Sequence, residues 1–149
     1  MMIQDLKILI VARSVVIKDK KILILKRCGS AGHDAGKWEF PGGKLDRQED
    51  LFLALKREIL EETGLQVELK DKVFHVGSEI ISEGKYKDFT YIEICGIANI
   101  VGGQLKISEE HDDMAWVSFE EIKDYELKEE VELTLNEFSA NILKAIDLS

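Results

Sequence analysis

Three glutamates in the middle of the chain, Glu58, Glu61 and Glu62, stand at positions i, i+3 and i+4. At ~100° of rotation per residue, a helix places their carboxylates on one face. Left unpaired, such like charges repel one another. Two readings meet that spacing. In one, the acids form a solvated face neutralised by nearby lysines. In the other, they hold a hard divalent cation, because Mg²⁺ takes carboxylate oxygens while keeping some waters of its own. A glycine-rich entry, Pro41-Gly42-Gly43, precedes the acids and tips the balance towards the second reading. Leu55, Ile59, Phe52, Leu60 and Leu53 occupy the opposite arc, interrupted by Lys56. The expected helix buries that arc and presents its acids on the other side.

The elements that must position these acids can be read from periodicity. The helix runs from about Asp50 to Thr63, with Gly64 where a left-handed C-terminal cap belongs. Upstream, Leu6 to Ile17 and Ile22 to Leu25 read as strands joined by a polar turn at Lys18-Asp19-Lys20. Arg27 to Lys37 has loop composition, and Trp38 to Leu45 is short and extended. Val67 to Leu69, Val73 to Ile81 and Phe89 to Ile100 read as further strands. An acidic loop, Ser108 to Asp113, leads into a short last strand, Ala115 to Val117. A C-terminal helix over roughly Lys128 to Ile146 carries Val131, Leu135, Phe138, Ile142 and Ile146 on one stripe. The fold class that follows is α+β, a sandwich in which a mixed β-sheet is flanked by helices.

Bulk composition bounds the partners. With 29 acidic against 20 basic side chains in 149 residues, the surface repels polyanions, which argues against a nucleic-acid polymer or an anionic membrane. A small phosphate ester remains compatible if metal ions neutralise the site locally. Cys28 and Cys95 lack the spacing of a disulfide framework or a thiolate zinc site. No apolar run approaches the ~20 residues of a membrane span, and the N-terminus reads as no export signal. The expectation is a single cytoplasmic domain over residues 1–149, undivided by repeat or linker.

The segment Gly43 to Leu65, GKLDRQEDLFLALKREILEETGL, resembles the Nudix box at every specified position: Gly43, Glu49, Arg57, Glu58, Ile59, Glu61, Glu62, Gly64 and Leu65. The stretch HDAGKWEFPGGK before it is similar to the MutT-like branch that cleaves oxidised deoxyguanosine triphosphate. The resemblance implies a Nudix-type α/β/α sandwich and a hydrolase that splits a diphosphate linkage with Mg²⁺, or Mn²⁺ as a substitute. It makes Glu61 and Glu62 the principal metal ligands, and Glu58 either a third ligand or the base that activates water. The carbonyl of Gly42 would add an oxygen. Arg57 would project away from the metal face and pair with Glu49, fixing the loop against the helix.

Outside the box the resemblance reaches single residues. Glu110 lies about where relatives place an extra acidic ligand, with Glu109, Asp112 and Asp113 as rivals. Arg27, and with it Lys44, would meet the phosphates. Trp38, Glu39 and Phe40 are candidates for the base pocket, while Trp38 and Phe40 equally suit a core. His33 reads as a surface loop residue. His75 and His111 have no companions at ligand spacing and read as structural or exposed. The asparagine with which the oxidised-guanine branch reads its purine is missing: the matching region is DYELKEEVEL, with no asparagine before Asn136. The leading expectation is conversion of a nucleoside triphosphate to a nucleoside monophosphate and pyrophosphate. The alternatives are an ADP-ribose or nucleotide-sugar pyrophosphatase, and a non-catalytic ligand sensor. Relatives include monomers and homodimers, and both states stay open.

Overall fold

The computed structural model describes residues 6–70 and 75–149. Strand β1 (Ile8–Lys18) turns through Asp19 and Lys20 into β2 (Lys21–Arg27). Both turn residues have positive φ, 49° and 67°, so the hairpin closes on the two-residue turn whose twist matches its strands. After a loop come β3 (Trp38–Glu39) and β4 (Gly42–Lys44), then helix α1 (Leu51–Thr63) and β5 (Leu65–Leu69). Strands β6 (His75–Ile80), β7 (Thr90–Gly103) and β8 (His111–Val117) follow. A 3₁₀ turn (Glu121–Asp124) and helices α2 (Glu129–Glu137) and α3 (Ser139–Asp147) complete the chain.

The sheet is mixed. β1 runs parallel to β7 over ten paired positions, from Ile8↔Thr90 to Ile17↔Asn99, while the other pairings are antiparallel. A parallel pair at the centre requires both faces to be covered, and they are. On one face Leu55 and Ile59 of α1 pack with Ala12, Val16, Leu23, Leu25 and Ala98. On the other, Val131, Leu135, Ile142 and Ile146 of α2 and α3 pack with Val15, Ile17, Ile24 and Ile97. Alternation along β1 sends Arg13, Val15 and Ile17 to the α2–α3 side and Ala12 and Val16 to the α1 side. This is the expected α+β sandwich.

Three details differ from the sequence expectation, and one expectation falls on residues outside the described set. The C-terminal helix divides at Phe138, whose φ of −117° leaves the helical region. Hydrogen bonds from Phe138 N–H to Thr134 and from Ile142 N–H to Phe138 nevertheless keep the i→i−4 register, so the apolar stripe holds its phase across the joint. β8 starts at His111 rather than Ala115, because it pairs with β2 as far as Arg27. The strand expected from Val73 begins in residues 71–74, outside the described set, and the expectation for the His75 side chain falls outside it too. Finally, the buried face of α1 is narrower than its sequence pattern. Leu55 and Ile59 are buried, but Phe52, Leu53 and Leu60 stand in solvent, and Glu62 is buried with the core residues instead. Helix α1 lies on the sheet along the Leu55–Ile59–Glu62 line, which rolls the other leucines outward.

That line predicts a contrast. Ile59→Ala should cost about 2–5 kcal/mol of unfolding free energy, and Leu60→Ala within about 0.5 kcal/mol, both measured by urea denaturation.

Candidate active site

Helix α1 starts where Asp50 accepts the N–H groups of Phe52 and Leu53 at 3.0 and 3.2 Å, and it ends at Gly64 in the left-handed conformation. Capped at both ends, it presents Glu58 and Glu62 to the β4 strand, with Glu61 beside them lining the same cleft. The three carboxylates meet different surroundings. Glu61 is half exposed, Glu58 is largely covered, and Glu62 is 5% exposed. Glu62 accepts the Gly42 N–H at 2.8 Å. Burial pushes its carboxyl up to about 8; Arg13 and the Gly42 N–H pull against that rise, and Glu39 and Glu110 add to it. Burial also raises Glu58, in spite of its bond from Arg57.

Two glycines make the approach possible. At Gly42 a Cβ would stand 2.1 Å from the carbonyl oxygen of Ala12, and φ is +144°, a region closed to most side chains. At Gly43 a Cβ would stand 2.5 Å from Glu58 Oε2, so only a glycine lets that carboxylate rest on the β4 backbone.

Arg57 pairs with Glu49 at 2.6 Å, as the resemblance implies. It does not project away from the acidic face. Its Nη1 also donates to Glu58 at 3.0 Å and to Glu61 at 3.2 Å, and Asp46 lies 3.5 Å from Nη2. A guanidinium four residues before Glu61 reaches along the helix surface to it, and the fork is wide enough to serve Glu49 as well. Arg57 thus spreads one positive charge over the outer acids.

These groups line an open cleft of about 670 Å³ that brings together Glu58, Glu61, Glu62, Gly42, Gly43, Lys44, Asp46, Arg27, Glu109 and Glu110. The loop before β8 is tied to α1 by the Ser108 N–H to Glu62 C=O bond, which places Glu109 and Glu110 there. Their rivals are employed locally: Asp112 accepts the Gly29 N–H and Asp113 the Met114 N–H. Arg27 lines the cleft while its Nε donates to the His33 carbonyl. Lys44 lines it too, and its Nζ donates to the Tyr86 hydroxyl at 3.0 Å. That bond, with the charge of Lys44, lowers the Tyr86 phenol below its ordinary value. The His33 ring points into solvent beside Asp34.

The base-pocket candidates are corrected. Phe40 is 2% exposed and belongs to the core on the α2–α3 side. Trp38 packs against that core, edge-on to Tyr125 with ring centroids 5.0 Å apart. Alternation in a two-residue strand turns Glu39 inward, where its carboxylate meets Arg13 at 3.4 Å, Lys128 at 3.3 Å, Arg27 at 3.6 Å and His111 at 2.8 Å. Burial opposes its charge, yet Arg13, the His111 bond, Lys128 and Arg27 hold it well below the usual carboxylate range. Asn136 borders a separate groove with Phe119, Ile122 and Leu135, so it does not stand in for the missing purine-reading asparagine.

Sequence reasoning passed over Arg13 and Lys128, and it read His111 as structural or exposed; the structure shows a buried ring bonded to Glu39. Arg13 carried a signal, a lone charge inside an aliphatic strand, which must find partners when buried. His111 and Lys128 meet Glu39 across 72 and 89 residues of chain, a pairing invisible to spacing. Glu39, Glu62 and His111 also offer ligand atoms within 4.8 Å of one another, a possible cation group. The oxygens of Glu39 are already shared among cations, so this trio suits a metal less well than the outer carboxylates. Hard oxygen donors around a cleft, with backbone made accessible by Gly42 and Gly43, fit a divalent cation.

A model of the NUDIX domain matches residues 9–141. The chain belongs to the NUDIX family and is an enzyme, a hydrolase of diphosphate linkages. It is 32% identical over 126 residues to a protein described as nucleoside triphosphatase NudI from Escherichia coli strain SE11, and to its counterpart in Shigella flexneri, covering 81% of this chain and 89% of each relative. Among solved structures it resembles the MutT protein of Methanosarcina mazei Go1, with a TM-score of 0.68, 25% identity, and coverage of 95% of this chain and 94% of that one. A NUDIX hydrolase from Nitrosomonas europaea shares the fold at a TM-score of 0.74 and 21% identity, covering 91% of this chain and 90% of that one.

The buried acid predicts a pH dependence. With its folded-state value raised above the ordinary 4.5, Glu62 favours the fold while protonated. In metal-free protein, the contribution of Glu62 to stability should be full below 4.5 and be lost as pH rises through about 8. Glu58 and Glu93, both raised by burial, act in the same direction. Urea midpoints across that range, taken in EDTA, should show a shallower decline for Glu62→Gln than for the parent protein.

Proposed function

We propose that this enzyme hydrolyses nucleoside triphosphates to the nucleoside monophosphate and pyrophosphate, with Mg²⁺ as cofactor and Mn²⁺ as a substitute. The observation that carries the reading is the cleft itself. It gathers Glu58, Glu61, Glu62 and Glu110 with Arg27 and Lys44, acids suited to cations beside bases suited to phosphates. The nucleoside triphosphatase NudI relatives support the triphosphate.

In this reading Glu61 and Glu62 are the main metal ligands, joined by Glu110 and the Gly42 carbonyl. When bound, Mg²⁺ supplies positive charge against the phosphate oxygens and makes water a stronger acid. Glu58 takes the proton: its partly buried carboxyl, raised by desolvation, is a better base than an exposed glutamate. Arg57 and Glu49 hold that helix face to the loop. Arg27 and Lys44 orient the phosphate chain, Lys44 steadied by the Tyr86 hydroxyl. The partner is a small nucleotide rather than a nucleic-acid polymer or a membrane, acted on in the cytoplasm by one domain spanning residues 1–149, as a monomer or homodimer. Among the described residues, no helix is long and apolar enough to cross a membrane.

The test is a Mg²⁺-dependent screen of common and oxidised nucleotides, ADP-ribose and nucleotide sugars, with products resolved by chromatography. Pyrophosphate released from triphosphates is the expected result. AMP and ribose phosphate from ADP-ribose, with triphosphates untouched, would replace this reading. Glu61→Gln and Glu62→Gln should each lose at least roughly a hundredfold in turnover while keeping the parent circular dichroism spectrum. Near-normal turnover by either purified variant would remove it from the metal-ligand set.

A further inference from the structure

Arg13 touches the β4 loop, the buried Glu39 and Glu93 in the interior of the sheet at once. Its Nη1 donates to the Phe40 carbonyl at 3.1 Å and approaches the Gly42 carbonyl at 3.4 Å. Its Nη2 lies 3.4 Å from Glu39, and its Nε lies 3.4 Å from Glu93, a residue 3% exposed near the start of β7. The backbone reinforces this arrangement. Arg13 is registered opposite Gly42 in the β1–β4 pair and opposite Cys95 in the β1–β7 pair, and the Ser14 N–H donates to Pro41 C=O at 2.9 Å.

The Gly42 residue is therefore gripped from two sides. Its N–H is spent on Glu62, a proposed metal ligand, and its C=O meets Arg13. A carbonyl oxygen has two lone pairs, so a bond from Arg13 leaves one free to face the cleft. Glu39, Glu62 and Glu93 all favour the charged guanidinium, against the cost of burying it.

We propose that Arg13 is a positioning residue of the hydrolytic site: it sets the Gly42 carbonyl and the Glu39 carboxylate against the acids of α1, and Glu93 holds it in that pose from behind. The inference rests on the metal-binding reading of the Gly42 loop. A lysine cannot replace it fully, because an ammonium is a point charge and cannot fork to two carbonyls and two carboxylates together.

The test compares Arg13→Lys, Arg13→Met and Glu93→Gln with the parent protein in three measurements. These are Mn²⁺ affinity by electron paramagnetic resonance, amide hydrogen exchange of the peptide spanning residues 40–44 without metal, and steady-state hydrolysis of a nucleoside triphosphate. Arg13→Lys should weaken Mn²⁺ binding by about tenfold and lower kcat by a similar factor, with KM nearly unchanged. Exchange across residues 40–44 should quicken. Arg13→Met should move all three further, so that lysine rescues in part, and Glu93→Gln should move them less than Arg13→Lys. If Arg13→Met does not fold, Arg13→Lys and Glu93→Gln decide alone.

Folded Arg13→Lys protein with parental Mn²⁺ affinity and exchange would overturn the proposal. A fall in kcat with both of those unchanged would overturn it as well, because it would place Arg13 at the substrate and not at the loop. If the parent protein hydrolyses no triphosphate, the proposed activity fails, while the Mn²⁺ and exchange measurements still judge Arg13.

Discussion

Crowding carboxylates together is the constraint to which the rest of this structure answers. Glu58, Glu61 and Glu62 share one helix face, and Glu110 and the buried Glu39 approach from other elements. Each like-charge neighbour on a helix costs a few tenths of a kcal/mol in water, and far more once solvent is withdrawn. The fold divides the problem. On the solvent side, Arg57 spreads one guanidinium across Glu49, Glu58 and Glu61. On the buried side, Arg13, Lys128, Arg27 and His111 converge on Glu39, while Glu62 takes the Gly42 N–H, lies 3.7 Å from His111 and keeps a raised affinity for its proton.

That division explains why α1 sits as it does. A helix packed on its full apolar arc would bury Phe52, Leu53 and Leu60 and turn Glu62 towards water. Packing on Leu55 and Ile59 with Glu62 beneath brings the acid to the β4 backbone and exposes the three apolar side chains. Some hydrophobic burial is given up so that one carboxylate can meet one amide. Gly42 and Gly43 complete the arrangement, because any side chain at either position would collide with β1 or with Glu58.

Much of this was legible in the chain. The end of α1 followed from Gly64, because a cap is local chemistry written at the end of the helix, and its start near Asp50 followed from composition, without the cap that Asp50 forms. The mixed sheet flanked by helices followed from element order, and the pairing of Arg57 with Glu49 from the family resemblance. What escaped was of two kinds. Arg13, Lys128 and His111 join Glu39 over long stretches of sequence, so no spacing rule connects them. The break at Phe138 and the roll of α1 depend on how whole elements pack, and an apolar stripe gives only their phase. Trp38 and Phe40 suited a pocket or a core equally well by residue type, and only the register of β3 against β2 decides between them.

The central claim is that the acids of α1 and the Gly42 loop gather around a divalent cation. Anomalous diffraction at the manganese edge from crystals soaked in Mn²⁺ tests it most directly. The account predicts density between the carboxylates of Glu61 and Glu62 and the Gly42 carbonyl, with Arg57 drawn back from Glu61. Density confined to the Glu39–His111 pair, or a well-ordered site with no manganese at those acids, would contradict it.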